Sequence, residues 1–233
     1  MGLQATSIVY KHSHYPHYFL CSYLPVSAGR DRLSRSLLDF KQGFQPDLAA
    51  WIDCTLDVGS FIPVTKDTII IRALQHDETT AGDNPPTSLD LLGQALAARF
   101  YCHYQPLLLR KSRATPPCKQ LSRGRRVAEL RQVYSLLPLQ EPATPHPSFL
   151  LIDDILTTGT TARMILAAIR EPYPESPFRV FTLAKAGYQT IPSIALRGRL
   201  YQLGSDARWT LAEDEPTPWS VKKLKILIRA NSF

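Results

Sequence analysis

The sequence predicts an α/β protein: a central, mainly parallel sheet flanked by helices. Two observations carry this expectation. Short apolar runs recur along the chain: "TIII" at 68–71, "PLLL" at 106–109, "FLLI" at 149–152 and "FRVFTLA" at 178–184. Segments with a helical apolar stripe lie between them. A run that is apolar on both sides of the pleat belongs in a strand buried on both faces, as in a parallel sheet covered by helices.

Taken in order, "RDRLSRSLLDFKQG" and "PDLAAWIDCTLD" predict one or two helices at an edge, and residues 1–66 are read as an N-terminal helical segment or hood. The core is placed at 67–187. After its first strand come a polar loop and a helix begun by Thr87, with Asp90 three residues on as a capping box. Leu91, Leu92, Ala95 and Leu96 are its expected buried stripe. The run "PLLL" is taken as the second strand. Pro138, Pro142, Pro145 and Pro147 deny the next segment regular hydrogen bonding and mark an exposed connection. "FLLI" is the third strand and "FRVFTLA" the fourth. Between them, "TARMILAAIRE" predicts a helix with Ile165, Ala168 and Ile169 on one face. Residues 188–233 are read as a C-terminal extension packed on the core.

Composition narrows the class. The chain of 233 residues is 44% hydrophobic, enough for one substantial core. No apolar run approaches the ~18 residues of a membrane span, and the first residues lack the apolar segment of a signal peptide. A cytoplasmic protein without a membrane partner is expected. "MGLQAT" fits the short myristoylation pattern through Gly2 and Thr6, a pattern that often arises by chance. Four scattered cysteines without a C-x-x-C pair read as reduced thiols. His12, His14 and His17 in "KHSHYPHYF" would put His12 and His14 on one strand face, yet with no further ligand nearby in sequence they read as a surface cluster.

The formal charge of +7 is concentrated: residues 110–131 hold eight basic residues against Glu129, and "VKKLKILIRANSF" adds four without an acid. Such stretches suit a polyanion, either a polyphosphate substrate or nucleic acid. No aromatic interleaving or reader motif supports nucleic acid.

The segment "FLLIDDILTTGTT", residues 149–161, carries the chemistry. Asp153 and Asp154 fall at the carboxyl end of the third strand, where ligands of open parallel sheets sit. Thr157, Thr158, Gly159, Thr160 and Thr161 form a loop leading into a helix, whose amides, hydroxyls and N-terminal dipole can surround a phosphate. The acids would repel a phosphate but can accept hydrogen bonds from two neighbouring hydroxyls, as in a ribose. Together the parts describe a holder for ribose 5-phosphate. A P-loop NTPase is improbable because no G-x-x-x-x-G-K-[ST] occurs. A phosphoacceptor or phosphatase aspartate, and a strand end with merely solvated acids, stay open at this point.

The segment resembles the signature with which type I phosphoribosyltransferases bind 5-phosphoribosyl 1-pyrophosphate (PRPP). The chain is also similar to ComF-like competence proteins in "LLLRKSRATPPCKQLSRGRRVAELRQVY" and in "SRSLLDFKQG", a helix ending in a Lys; the likeness covers roughly residues 30–186. The Cys-rich zinc module often found in those proteins is missing, and "RALQHDETTAGDN" stands where they carry an Arg-Gly-Phe-Asn-Gln element.

The resemblance implies the type I phosphoribosyltransferase fold with a small hood. It implies a Mg2+-dependent transfer of phosphoribosyl from PRPP to a base or amine, with release of pyrophosphate. Asp153 and Asp154 would hold the ribose hydroxyls and take part in proton transfer or water-mediated metal contact, and residues 157–161 would hold the 5-phosphate. Arg110, Lys111, Arg113 and Lys119, in the stretch where the family has a mobile loop, would face the pyrophosphate, as would Arg72. Lys185 would contact the base. A non-catalytic PRPP or nucleotide-binding regulator, or an accessory of DNA uptake, is the alternative, and a homodimer is left open.

Overall fold

The computed structural model describes residues 3–24, 32–82, 85–116, 123–139, 146–187, 201–203 and 209–211. In chain order these form strands β1 (Gln4–Tyr10) and β2 (Ser13–Tyr23), helices α1 (Arg32–Gln42) and α2 (Gln45–Val58), strand β3 (Thr68–Arg72), helix α3 (Ser88–Phe100) and strands β4 (His103–Tyr104) and β5 (Leu109–Lys111). Helix α4 (Arg123–Leu130), strands β6 (Tyr134–Leu136) and β7 (Ser148–Leu156), helix α5 (Thr160–Arg170), strand β8 (Phe178–Ala186) and a short pair, β9 (Tyr201–Leu203) and β10 (Trp209–Leu211), follow.

Six strands make one mixed sheet in the order β1-β2-β8-β7-β3-β4. Only β1, joined to β2 by a tight turn, runs antiparallel; the other neighbours are parallel. Alternation along each central strand divides the core between the two faces. Ile70, Leu150, Ile152, Phe181 and Leu183 face the cluster that contains Leu33, Leu37 and Phe40 of α1, Leu48 and Trp51 of α2, and Leu92 and Leu96 of α3. Ile69, Ile71, Phe149, Leu151 and Val180 face Ile165, Leu166 and Ile169 of α5. The molecule is thus an α/β protein with helices on both faces of a mostly parallel sheet.

Several expectations change in detail. Residues 1–66 are not a helical appendage: β1 and β2 belong to the sheet, and β2 hydrogen-bonds β8. The run "PLLL" is a 3-10 turn at 106–108, with Leu107 55% exposed; β5 starts only at Leu109 and pairs with β6 in a separate hairpin. Pro106 has no amide to give a ladder, so the parallel edge position goes to β4. The capping box is present, Thr87 Oγ1 accepting from Asp90 N while the Asp90 carboxylate accepts from Thr87 N. Leu91, however, is exposed, because α3 turns Ser88, Leu92, Gly93 and Leu96 inward. The ring of Tyr104 lies so close to Gly93 that a Cβ there would meet it at 2.3 Å.

The histidines do not form a surface cluster. His12 lies in the β1–β2 turn, His14 is exposed, and His17 is fully buried on β2. Thr182 Oγ1 donates to Ala184 O, so it accepts from His17 Nε2 at 2.8 Å; the imidazole carries its proton on Nε2 and leaves Nδ1 without a partner. Burial, reinforced by Lys185, lowers His17 from 6.5 to about 4. Between those two values the unfolded chain holds a proton that the folded chain refuses, so stability is complete above pH 6.5 and falls as pH drops to 4. The loss is about 3 kcal/mol. Thermal melts between pH 7 and 4 should show the fall and His17→Gln should flatten it; an unchanged slope in that variant assigns the acid limb to other groups.

Candidate functional site

The carboxyl ends of β2, β3 and β7 open into a cleft of about 390 Å3. Asp153, Asp154 and Ile155 form its base. Residues 73–76 after β3 line one side, Tyr23 and Lys41 another, and Thr115, Leu130 and Tyr134 from the β5–β6 hairpin and α4 a third; Thr157 and Thr161 close the far end. A smaller lobe of about 60 Å3 runs from the same acids toward Phe40 and the start of α3.

The strand carrying the acids is longer than its apolar run suggests, because β7 pairs with β8 as far as Leu156. Asp153 and Asp154 therefore sit on rigid backbone within the sheet. Asp153 Oδ1 accepts from Asp154 N at 2.9 Å, and Asp154 Oδ1 accepts from Ile155 N at 2.7 Å. Asp154 Oδ2 accepts from Lys41 Nζ at 2.6 Å. Lys41 occupies the last turn of α1, where the helix dipole favours a cation. Burial and the adjacent Asp154 push the Asp153 carboxyl well above the usual range. Burial acts the same way on Asp154, but Lys41 together with the hydrogen bonds from Asp153 and Ile155 outweighs it and holds that carboxyl low. Asp154 is thus the ionised partner of Lys41, while Asp153 is the member that tends to keep its proton, able both to donate and to accept.

Beyond the acids the chain turns through Gly159, whose φ of +69° is left-handed, and enters α5 at Thr160 without a side-chain cap. The first-turn amides of a helix have no intrahelical acceptor, so this end is a ready anion site. Thr158 Oγ1 and Thr160 Oγ1 lie 2.9 Å apart, and Arg163 Nη2 donates to Thr158 O at 2.9 Å, bracing the loop. A Cβ on Gly159 would meet no protein atom closer than Arg163 Nη1 at 3.5 Å, so a side chain there clashes with nothing in the protein itself. The cost is conformational, about 1–2 kcal/mol for an L-residue in the left-handed region. Gly159→Ala should lower Tm by about 2–8 °C, and a melting curve matching wild type would show that the turn relaxes freely.

The other expected contacts are dispersed. Arg72 is completely buried: Nη1 and Nη2 hold Glu78 at 2.7 Å each and Nε holds Asp90 at 2.6 Å. It does not reach a ligand in the cleft, because all three of its nitrogens already donate to buried acids and breaking a buried pair is strongly unfavourable. Lys111 is buried as well, its Nζ donating to Gln75 O and His76 O, so it shapes the cleft wall from behind. Arg113 pairs with Glu129 at 2.9 Å on the surface, and Arg110 lies on the exposed side of β5. The stretch expected as one mobile loop is thus partly a hairpin and a helix. Lys119 lies outside the described residues. Lys185 sits over the Phe19 ring with its Nζ 3.5 Å from Thr6 Oγ1 and does not line the cleft.

Among the cleft side chains without a site role in the sequence reading are Tyr23, Gln75, His76 and Tyr134. None carries a local signal. Lys41 did, as the Lys closing "SRSLLDFKQG", but its pairing with Asp154 is a long-range contact.

A directly ligated Mg2+ does not fit the acid pair as it stands. Magnesium needs near-octahedral oxygen ligands, whereas both Asp154 oxygens and one Asp153 oxygen already accept from donors, one of them an ammonium. Among the described residues no group of three or more His, Cys, Asp or Glu is placed to hold a metal ion, and no helix is long and apolar enough to cross a membrane.

The class these observations define is an α/β protein with a polar cleft at the carboxyl edge of its parallel strands. No model of a known protein family matches the chain, and no curated protein matches it.

Proposed function

We propose that the chain is a cytoplasmic phosphoribosyltransferase of the type I fold, binding PRPP in this cleft and transferring its phosphoribosyl group to a base or amine. The observation that carries the reading is the placement of Asp153 and Asp154 in one cleft with the uncapped start of α5. One end supplies acceptors for a diol and the other supplies amides for a phosphate, in the order a ribose 5-phosphate requires.

In the reaction the bond from ribose C1 to pyrophosphate breaks and a nitrogen nucleophile bonds to C1, through a transition state with oxocarbenium character by analogy with glycoside cleavage. Asp154, kept ionised by Lys41, orients the hydroxyls and offers negative charge beside the electron-poor ring. Asp153, which keeps its proton, can donate a hydrogen bond to one hydroxyl, while the proton of the nitrogen nucleophile leaves to water or to the departing pyrophosphate. A Mg2+ ion arriving with PRPP would be held mainly by the pyrophosphate oxygens and water.

One observation favours a second reading, a PRPP- or nucleotide-binding regulator without turnover. Arg72 and Lys111, expected at the leaving group, point into the protein instead, which removes two of the cations expected to face a departing pyrophosphate. Pyrophosphate release from PRPP, followed across a panel of bases and amines, separates the two. Release with one acceptor supports the transferase, and saturable binding without release supports the regulator. Absence of PRPP binding sinks both.

A further inference from the structure

We propose that Lys41 is the resident cation of the acid pair, so that the sugar end of the cleft engages its ligand without a divalent metal ion. This inference rests on the ribose 5-phosphate reading above. Lys41 Nζ stands 2.6 Å from Asp154 Oδ2, at the place a metal bound to that carboxylate would take. The remaining Asp154 oxygen is held by Ile155 N, and Asp153 Oδ1 is held by Asp154 N. An incoming Mg2+ would have to displace the ammonium or sit beside it, and two cations a few ångströms apart repel.

The ammonium is delivered by structure and not by chance. Phe40, the preceding residue, is fully buried in the core. The helix ends immediately after, with Gly43 at φ +79° donating to Phe40 O at 2.9 Å. These contacts fix the root of Lys41 over the acids, while its side chain stays 46% exposed, open to the cleft. A diol can then approach Asp153 Oδ2 and the free lone pairs of Asp154 from the solvent side while the charge of Asp154 stays compensated.

The test uses ribose 5-phosphate, which lacks the pyrophosphate and so removes the main metal-chelating group of PRPP. Calorimetry on wild type in EDTA and in MgCl2 should give equal affinities. Lys41→Met, of similar reach without charge, should bind about tenfold more weakly in EDTA, as expected for loss of one charge-assisted contact, and recover in MgCl2. Mn2+ titration read by electron paramagnetic resonance should show uptake by Lys41→Met but not by wild type. Wild-type binding that requires Mg2+, Mn2+ uptake by wild type that Asp154→Asn abolishes, or Lys41→Met binding in EDTA equal to wild type would each overturn the proposal. Should wild type bind no ribose 5-phosphate in either buffer, the sugar-phosphate reading itself falls.

Discussion

Asp153→Asn combined with Asp154→Asn should lower PRPP affinity by about a hundredfold while leaving thermal unfolding nearly unchanged. The ionised Asp154 makes a charge-assisted bond that contributes about 1.5–3 kcal/mol and the protonated Asp153 a neutral one of about 0.5–1.5 kcal/mol, so losing both costs about 2–4.5 kcal/mol, on the order of a hundredfold in affinity. The fold loses little. Asn keeps an oxygen to accept from Asp154 N or Ile155 N, the bonds that hold each side chain in place. Lys41 loses its partner but is 46% exposed, so it remains hydrated. Calorimetry that returned wild-type affinity for the double variant would remove the acids from the sugar site. A collapse of the melting temperature would instead make them structural.

Arg72→Met should do the reverse, destabilising the protein strongly by unfolding assays. Arg72 is the hub of a closed network: Glu78 takes two of its donors, Asp90 takes Nε, and Asp90 also accepts from Tyr104 Oη at 2.6 Å and from Thr87 N at 2.7 Å. Burial alone would raise the Asp90 carboxyl, but the Tyr104, Arg72 and Thr87 hydrogen bonds hold it low. Removing the guanidinium strands two acids in the core, for a loss of about 3–5 kcal/mol. In a chain of this size that is a fall in Tm of about 6–20 °C. A variant melting with wild type yet binding pyrophosphate poorly would return Arg72 to the ligand.

The contrast between these two variants shows what local sequence can and cannot convey. Asp153 and Asp154 were legible because the run 149–161 is contiguous: an apolar strand, two acids, a left-handed Gly and a helix start all lie within one segment, and strand polarity alone sets them at the ligand edge. The Thr87–Asp90 capping box was legible for the same reason. Arg72 was misread because it follows a strand just as a ligand-binding Arg would, and its partners Glu78 and Asp90 lie in a loop and a helix whose approach depends on packing. Lys111 looked like part of a solvated basic loop until the hairpin turned it toward Gln75 and His76.

By itself, then, the amino-acid sequence determined the alternation of strands and helices, the two-sided burial of the central strands, and the acid pair followed by a glycine turn into a helix, since all of these follow from periodicity and near-neighbour chemistry. Only the tertiary structure decided that β2 inserts beside β8, that His17 is sealed against the sheet without a partner for Nδ1, that Arg72 turns inward, and that Lys41 reaches Asp154 from 113 residues away. Those outcomes depend on which faces pack together. A buried charge or polar group is placed by the partner that can satisfy it, and that partner need not be near in the chain.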